Sequence, residues 1–178
     1  MGVVKLEYLP HYTYADYQKF EGDWELIDGI AYAMAPAPIV THQLVSSNIT
    51  QQFKNLFDEC TEYLVIHEAD WQVTNDTVVR PDVLMICKPV DEHITKTPEI
   101  IFEVLSHSTA RRDEHQKFEL YEQEGVVYYI LVYPKMRVAK VYLLQNGRFI
   151  KEGDFEEEYY NFEVKGCEKK FDFSKIWR

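Results

Sequence analysis

Cysteine is scarce in this chain and follows no pattern. Cys60, Cys87 and Cys167 are odd in number, far apart and in no CxxC arrangement. Nothing in their spacing indicates a disulfide framework or a zinc site, so all three read as structural residues. Long apolar runs are missing as well: no stretch of about 18 apolar residues exists, which excludes a membrane-spanning helix. The N-terminus, Met1-Gly2-Val3-Val4-Lys5, lacks the apolar core and cleavage site of a signal peptide, and Leu6 stands where a myristoylation signal needs Ser or Thr. These absences lead to the expectation of a soluble, cytoplasmic protein. Positive charge is also in short supply, with 19 Lys and Arg against 30 Asp and Glu and a net charge of -11. Bulk attraction to a polyanion is thereby excluded, and any such binding must rest on a local basic patch.

What is present suffices for one folded unit over residues 1–178. The apolar fraction is 46% and the aromatic fraction 15%, enough for a sizeable core, with no internal repeat, linker or low-complexity segment. The spacing predicts a short helix over 12–20 with Thr13 as its cap, then a hairpin over 24–34 turning at Asp28-Gly29. Pro36 and Pro38 interrupt regular structure. Val45, Ile49, Phe53, Leu56 and Cys60 recur at helical spacing, so a helix over 41–59 lies across a sheet and carries His42 near its start. Strands are expected over 63–68 and 71–79, then the two described next, then 126–133, and finally a hairpin of 138–144 and 148–151 joined through Asn146-Gly147. The fold class is α/β: a mixed central β-sheet flanked by α-helices, with additional N-terminal and C-terminal β-hairpins.

Two apolar runs stand out because each carries an acid. Pro81-Asp82 opens Val83-Leu84-Met85-Ile86-Cys87, and Glu103 sits inside Ile100-Ile101-Phe102-Glu103-Val104-Leu105. An ionised carboxylate in a low-dielectric interior must be paired, protonated or bound to a cation. If the two runs pair as a hairpin, Asp82 and Glu103 share a face, and two such carboxylates attract a hard divalent ion such as Mg2+. A helix over 110–124, stopped by Gly125, follows directly and places Asp113 and Lys117 four residues apart on one face, with Tyr121 a turn further on. Strand, helix and strand in this order make the Glu103 and Ile130 strands parallel neighbours. Each residue has a plainer reading: Asp82 as a turn acceptor, Asp113 and Lys117 as a surface ion pair, His42 as a capping or packing histidine. Ser106, Ser108 and Thr109 read as helix caps, and Tyr128, Tyr129 and Tyr133 as packing against the sheet. His67, His93, His107 and His115 show no ligand spacing.

Taken together, Arg80-Pro81-Asp82, Glu103-Val104-Leu105-Ser106-x-Ser108-Thr109, Asp113-x-x-x-Lys117, Tyr121 and Gly125-Val126 resemble the Uma family of restriction-endonuclease-like proteins, in the PD-(D/E)xK nuclease superfamily. The resemblance extends upstream to Glu25-Leu26-x-Asp28-Gly29, Met34 and His42 and downstream through Tyr129-x-x-Val132. It departs from the superfamily at Leu105, where a Lys is expected two positions after the Glu, and implies that Lys117 takes over that role. It also implies a metal-dependent DNA endonuclease using Mg2+ or Mn2+. Asp82, Glu103 and the Val104 carbonyl would bind metal, Lys117 would assist the attacking water, and Asp113 would orient Lys117. The superfamily often adds an acid or polar residue, for which His42, Gln43 and Glu25 are candidates. DNA is the expected partner, and a homodimer is expected because double-strand cutters use two sites about a two-fold axis. Arg80, Lys88, Lys96, Arg111 and Arg112 cluster in sequence around these residues. Much of the acidic excess, Glu152, Asp154, Glu156, Glu157, Glu158 and Glu163, lies near the C-terminus. The alternative, permitted by Leu105 and the acidic surface, is a catalytically weak or inactive module that binds nucleic acid or a protein partner.

Overall fold

The computed structural model describes residues 9–34, 39–106 and 109–178. Pro36, Pro38, His107 and Ser108 therefore lie outside the described residues. At the centre is a six-stranded sheet in the order β10-β9-β8-β7-β6-β3. Its members are β3 (Tyr63–His67), β6 (Val83–Cys87), β7 (Ile100–Val104), β8 (Tyr128–Tyr133), β9 (Val138–Gln145) and β10 (Arg148–Phe155). All neighbours run antiparallel except β7 and β8, which are parallel as the strand-helix-strand order requires. The Asp82 and Glu103 runs do form a hairpin, with Val83 opposite Phe102 and Met85 opposite Ile100.

The alternation within β7 decides which face each layer covers. Ile100, Phe102 and Val104 join one core cluster, whereas Ile101 and Leu105 join the other, so a strand that is apolar except at Glu103 is buried on both sides. After the short α1 (Tyr14–Tyr17), helix α2 (Val40–Phe57) covers the first face with Val45, Ile49, Phe53 and Phe57. Beside it lies a hairpin the sequence reading had not drawn, β11 (Tyr159–Val164) and β12 (Cys167–Asp172), whose Phe162 and Phe171 pack on Phe53 and Phe102. The second face is covered by α3 (Lys117–Gln123) and by a four-stranded sheet in the order β2-β1-β5-β4. That sheet comprises β1 (Trp24–Ile27), β2 (Ile30–Ala33), β4 (Trp71–Gln72) and β5 (Val78–Val79). Among the described residues no helix is long and apolar enough to cross a membrane.

Three expectations need correction. The single strand over 71–79 is instead the tight hairpin of β4 and β5, because Thr74-Asn75-Asp76-Thr77 turns the chain: Val73 N–H and Thr74 N–H both donate to the Thr77 carbonyl. Cys60 and Cys167 are joined by a disulfide. Their sequence separation of 107 leaves no spacing to recognise, and only the packing of β12 against the end of α2 brings them together. The helix over 110–124 is not uniform, since Arg112–Gln116 is a π-helical turn ahead of α3. The N-terminal hairpin, by contrast, turns where expected, with Asp28 at φ 50° and Gly29 at φ 74°, the left-handed pair that a two-residue type I′ turn requires.

Phe53 touches four other rings, Phe57, Phe102, Phe162 and Phe171, and is 1% exposed. Phe53→Ala is expected to lower stability by about 3–5 kcal/mol in urea denaturation. Leu44→Ala on the exposed side of the same helix should change it by no more than about 0.5 kcal/mol.

Candidate active site around Lys117

Lys117 is an ammonium group enclosed by carboxylates. Its Nζ lies 2.6 Å from Glu25 Oε1, 2.9 Å from Glu103 Oε1 and 3.5 Å from Asp113 Oδ1, and all four side chains are buried. Glu103 Oε1 also accepts from the Tyr121 hydroxyl at 2.9 Å. Glu25 is held from two further sides: its Oε1 accepts from the Arg80 backbone N–H, and its Oε2 from Arg112 Nη1, both at 2.9 Å. The Arg112 guanidinium in turn lies over the Tyr32 ring, 4.5 Å from its centroid.

Each element has a local reason for its contribution. Glu103 follows the alternation of β7 onto the face that α3 covers, which is why an acid is tolerated in that strand. The π-helical turn keeps Asp113 buried beside Lys117, and Tyr121 follows one α-helical turn later on the same side. Tyr129 from β8 donates to the Asp113 carbonyl at 2.9 Å and fixes that turn to the sheet. Glu25 comes from β1, where Glu25, Leu26 and Ile27 are all buried. Of the three auxiliary candidates the sequence left open, Glu25 is the one that reaches Lys117. Gln43 instead donates to Glu68 Oε1 at the surface. An acid flanked by Trp24, Leu26 and Ile27 was the available signal, the same one that marked Glu103.

Burial sets the electrostatics, and neighbours decide its sign. Burial pushes the Glu103 carboxyl well above its ordinary value; Lys117 opposes this, but Asp113, Asp82 and Glu25 reinforce it. Asp113 is likewise raised by burial, with Glu25 and Asp82 adding to it against Lys117 and Thr109. Glu25 goes the other way. Burial alone would raise it, but Lys117, the Arg80 N–H and Arg112 hold it below the ordinary carboxylate range. Burial would lower Lys117, yet Glu103, Glu25 and Asp113 hold it well above the usual lysine value, so it is a fixed cation. Tyr121 and Tyr129 are pushed well up, chiefly by burial and the Glu103 charge, and stay protonated as donors.

Asp82 forms the outer lip. Continuing the Val83–Phe102 register by one pair sets Asp82 beside Glu103 on the same face. Asp82 Oδ2 accepts from the Val104 N–H at 2.6 Å, and Oδ1 lies 3.3 Å from His42 Nε2. Burial would lower His42, but the hydrogen bond and charge of Asp82, with Glu68 behind it, raise it above the ordinary histidine value. His42 Nδ1 is buried with no hydrogen-bond partner among the described residues.

Four carboxyl groups, Asp82, Glu103, Glu25 and Asp113, thus stand against the two cations Lys117 and Arg112, and their crowding is what helps to raise Glu103 and Asp113. The donors toward the lip are hard oxygens, which suits a divalent cation of the Mg2+ kind. Among the described residues no group of three or more His, Cys, Asp or Glu is arranged to hold a metal alone. An ion here would accordingly need backbone and water oxygens besides two carboxylates.

The other expectations divide. Asp113 and Lys117 are a buried pair and not a surface one. Ser106 and Thr109 do cap, through Ser106 Oγ to Thr109 Oγ1 at 3.2 Å and Thr109 N–H to Ser106 Oγ at 3.3 Å. Lys88 and Lys96 lie at the far end of β6, donating to the Thr61 and Cys87 carbonyls, and so do not flank the site. Arg80 is engaged by Asp70 and Asp23 at 2.6 Å each. Adjacency in sequence was misleading here, because the strand runs away from the acids. The acidic residues of β10 and the turn after it are exposed, on the strand at the far edge of the sheet.

A mixed sheet with an acid on each of two paired strands, and a lysine on the helix that follows, defines a restriction-endonuclease-like fold. The Uma2 family model, described as "Putative restriction endonuclease", matches residues 11–159, and the chain belongs to that family. The structure is similar to the crystal structure of a "putative nuclease belonging to DUF820" from Anabaena variabilis ATCC 29413, with a TM-score of 0.75 and 16% identity over 93% of this chain and 97% of that one. At this identity the likeness shows the fold alone. The type IIG restriction endonuclease BpuSI gives a TM-score of 0.45 at 14% identity over 82% of this chain and 17% of that one. A DrdV–DNA complex gives 0.33 at 18% over 65% and 12%, and neither of these two likenesses carries weight. No curated protein sequence matches the chain.

Replacing Lys117 by Met leaves Glu25, Glu103 and Asp113 without their shared cation. Denaturation at neutral pH should show a loss of about 3–5 kcal/mol. Glu103 and Asp113 already have raised folded-state values, and without Lys117 they rise further, so the folded variant holds protons that the unfolded chain releases. Its stability should therefore increase as pH falls from neutrality toward the ordinary carboxylate range. A loss that does not change with pH would contradict this electrostatic picture.

Proposed function

We propose that this chain is a metal-dependent DNA endonuclease that hydrolyses phosphodiester bonds, with Asp82, Glu103 and Lys117 as its catalytic residues. One observation carries the reading: Lys117 Nζ is fixed 2.9 Å from Glu103 Oε1, on the strand that pairs with the one Asp82 opens. Asp82, Glu103 and the Val104 carbonyl would hold Mg2+ or Mn2+. Such an ion, when bound, supplies Lewis acidity toward a phosphoryl oxygen and lowers the pKa of a coordinated water.

The protein groups have separable tasks. In the hydrolysis a water oxygen bonds to phosphorus, the bond to the leaving oxygen breaks and the proton that the water sheds passes through solvent to that oxygen, while negative charge grows on the phosphoryl oxygens. Lys117 is too firmly cationic to accept a proton. It serves by donating hydrogen bonds to the attacking oxygen or to the developing charge, while Glu25 and Asp113 hold its Nζ in place. Tyr121 keeps the Glu103 carboxyl in one orientation, and the Val104 N–H does the same for Asp82. The Asp82 and His42 side chains, 14% and 11% exposed, are more open than Lys117, Glu103, Glu25 and Asp113 and set the direction from which a phosphodiester approaches. A homodimer fits this reading, because a duplex cutter needs two such sites related by a two-fold axis.

A second reading, a binding module without cleavage, is favoured by the pairing of the basic side chains beside the site, Arg80 with Asp70 and Asp23 and Arg112 with Glu25. Incubation with supercoiled plasmid and with short single-stranded and branched DNAs separates the two. The endonuclease reading expects nicking in Mg2+ or Mn2+ that EDTA abolishes, that Asp82→Asn and Glu103→Gln eliminate, and that Lys117→Ala slows by roughly 100-fold or more. Folded protein that leaves every substrate intact in both metals would favour the binding module.

A further inference from the structure

Away from the Lys117 cluster, two adjoining pockets run along the outer side of the small sheet. One, of about 370 Å³, is walled by half-buried rings of Tyr14, Tyr17, Phe20 and Trp24. These rings form a chain: Tyr14 stacks on Tyr17 at 6.3 Å between centroids, Tyr17 meets Phe20 at 6.0 Å, and Phe20 meets Trp24 at 5.6 Å. The other, of about 400 Å³, carries Glu68, Asp91 and Glu92. Asp70, Arg80, His93 and Ile94 line both, so the pockets are two lobes of one groove.

Charge decides what such a groove can take. Arg80 is occupied by Asp70 and Asp23. Among the described residues no cation lies within ion-pair distance of the exposed carboxylates Glu68, Asp91 or Glu92. A polyanion is repelled from such a surface. An ammonium or guanidinium is drawn to it twice over, by the carboxylates and by the ring faces, whose quadrupoles attract cations. The apolar lining, Val78, Val90, Ile66 and Ile94, suits the methylene stem of Lys or Arg. Each lobe is side-chain sized or larger, and two in succession fit a length of chain better than a single small cation.

We propose that this groove binds a basic peptide segment of a partner protein, seating an Arg or Lys side chain against the Tyr14–Trp24 rings and a second beside Asp91 and Glu92. The groove meets the site only through Arg80, whose backbone N–H holds Glu25, and Glu68, which lies behind His42; Tyr14, Asp91 and Glu92 make neither contact, so the proposal stands whether or not the chain cleaves DNA.

Fluorescence anisotropy of a labelled peptide alternating Arg and Gly, titrated with the full chain at low salt, tests it. The Arg peptide should bind more tightly than its citrulline counterpart. Tyr14→Ala should weaken it roughly threefold, and the pair Asp91→Asn with Glu92→Gln by roughly threefold to tenfold. The pair Glu156→Gln with Glu157→Gln, which removes the same charge from exposed positions outside the groove, should leave binding unchanged. An equal loss from that distal pair would reduce the attraction to net charge and overturn the proposal, as would the absence of any peptide binding. Displacement of the peptide by spermidine at matching concentration would assign the groove to free polyamines instead. Tighter binding of a single-stranded oligonucleotide that Tyr14→Ala weakens would make it a nucleobase site, which also overturns it.

Discussion

A buried ammonium group is costly unless surrounding carboxylates compensate it, and the interior of this protein is arranged around that requirement. Lys117 is 3% exposed and draws Glu103 from the central sheet, Glu25 from the small sheet and Asp113 from the turn preceding its own helix. Three separate layers are thereby tied to one atom. Removing any partner leaves a charge in a low-dielectric interior, which costs far more than the loss of a surface ion pair. Tyr121 adds a second donor to Glu103 Oε1, Arg112 engages Glu25 Oε2, and Tyr129 holds the backbone of the π-helical turn.

The two faces of the central sheet have different duties. The face under α2 and the β11–β12 hairpin is apolar and ring-filled, with Phe53, Phe102, Phe162 and Phe171 in mutual contact, and it supplies the burial on which stability depends. The opposite face can then carry the charged cluster without being the main source of cohesion. Strand β7 serves both, because alternate residues point to alternate sides: Phe102 toward the aromatic core and Glu103 toward Lys117.

Much of this was legible in the sequence. An acid opening one apolar run and another inside the next, followed by a helix with Lys117 and Tyr121, was enough to foresee the β6–β7 hairpin, the parallel β8 and the meeting of Lys117 with Glu103. Glu25 could be named but not chosen, since its strand is separated from Lys117 by about half of the chain and only the packing of one sheet on another closes that distance. The Cys60–Cys167 disulfide and the π-helical turn left no local trace, the first because it depends on long-range packing, the second because five residues are too few for a change of period to show. Lys88 and Lys96 were misplaced because proximity in sequence says nothing about which end of a strand a residue occupies.

The proposed metal-dependent reaction rests on the juxtaposition of Asp82 and Glu103 at the lip of the cluster. Calorimetric titration of Mn2+ and Mg2+ into the purified protein tests it most directly, with Asp82→Asn as the comparison. The account predicts saturable binding to the unaltered chain that the substitution removes while the fold, monitored by circular dichroism, is retained. Absence of binding to the unaltered chain, or binding that persists in Asp82→Asn, would contradict it.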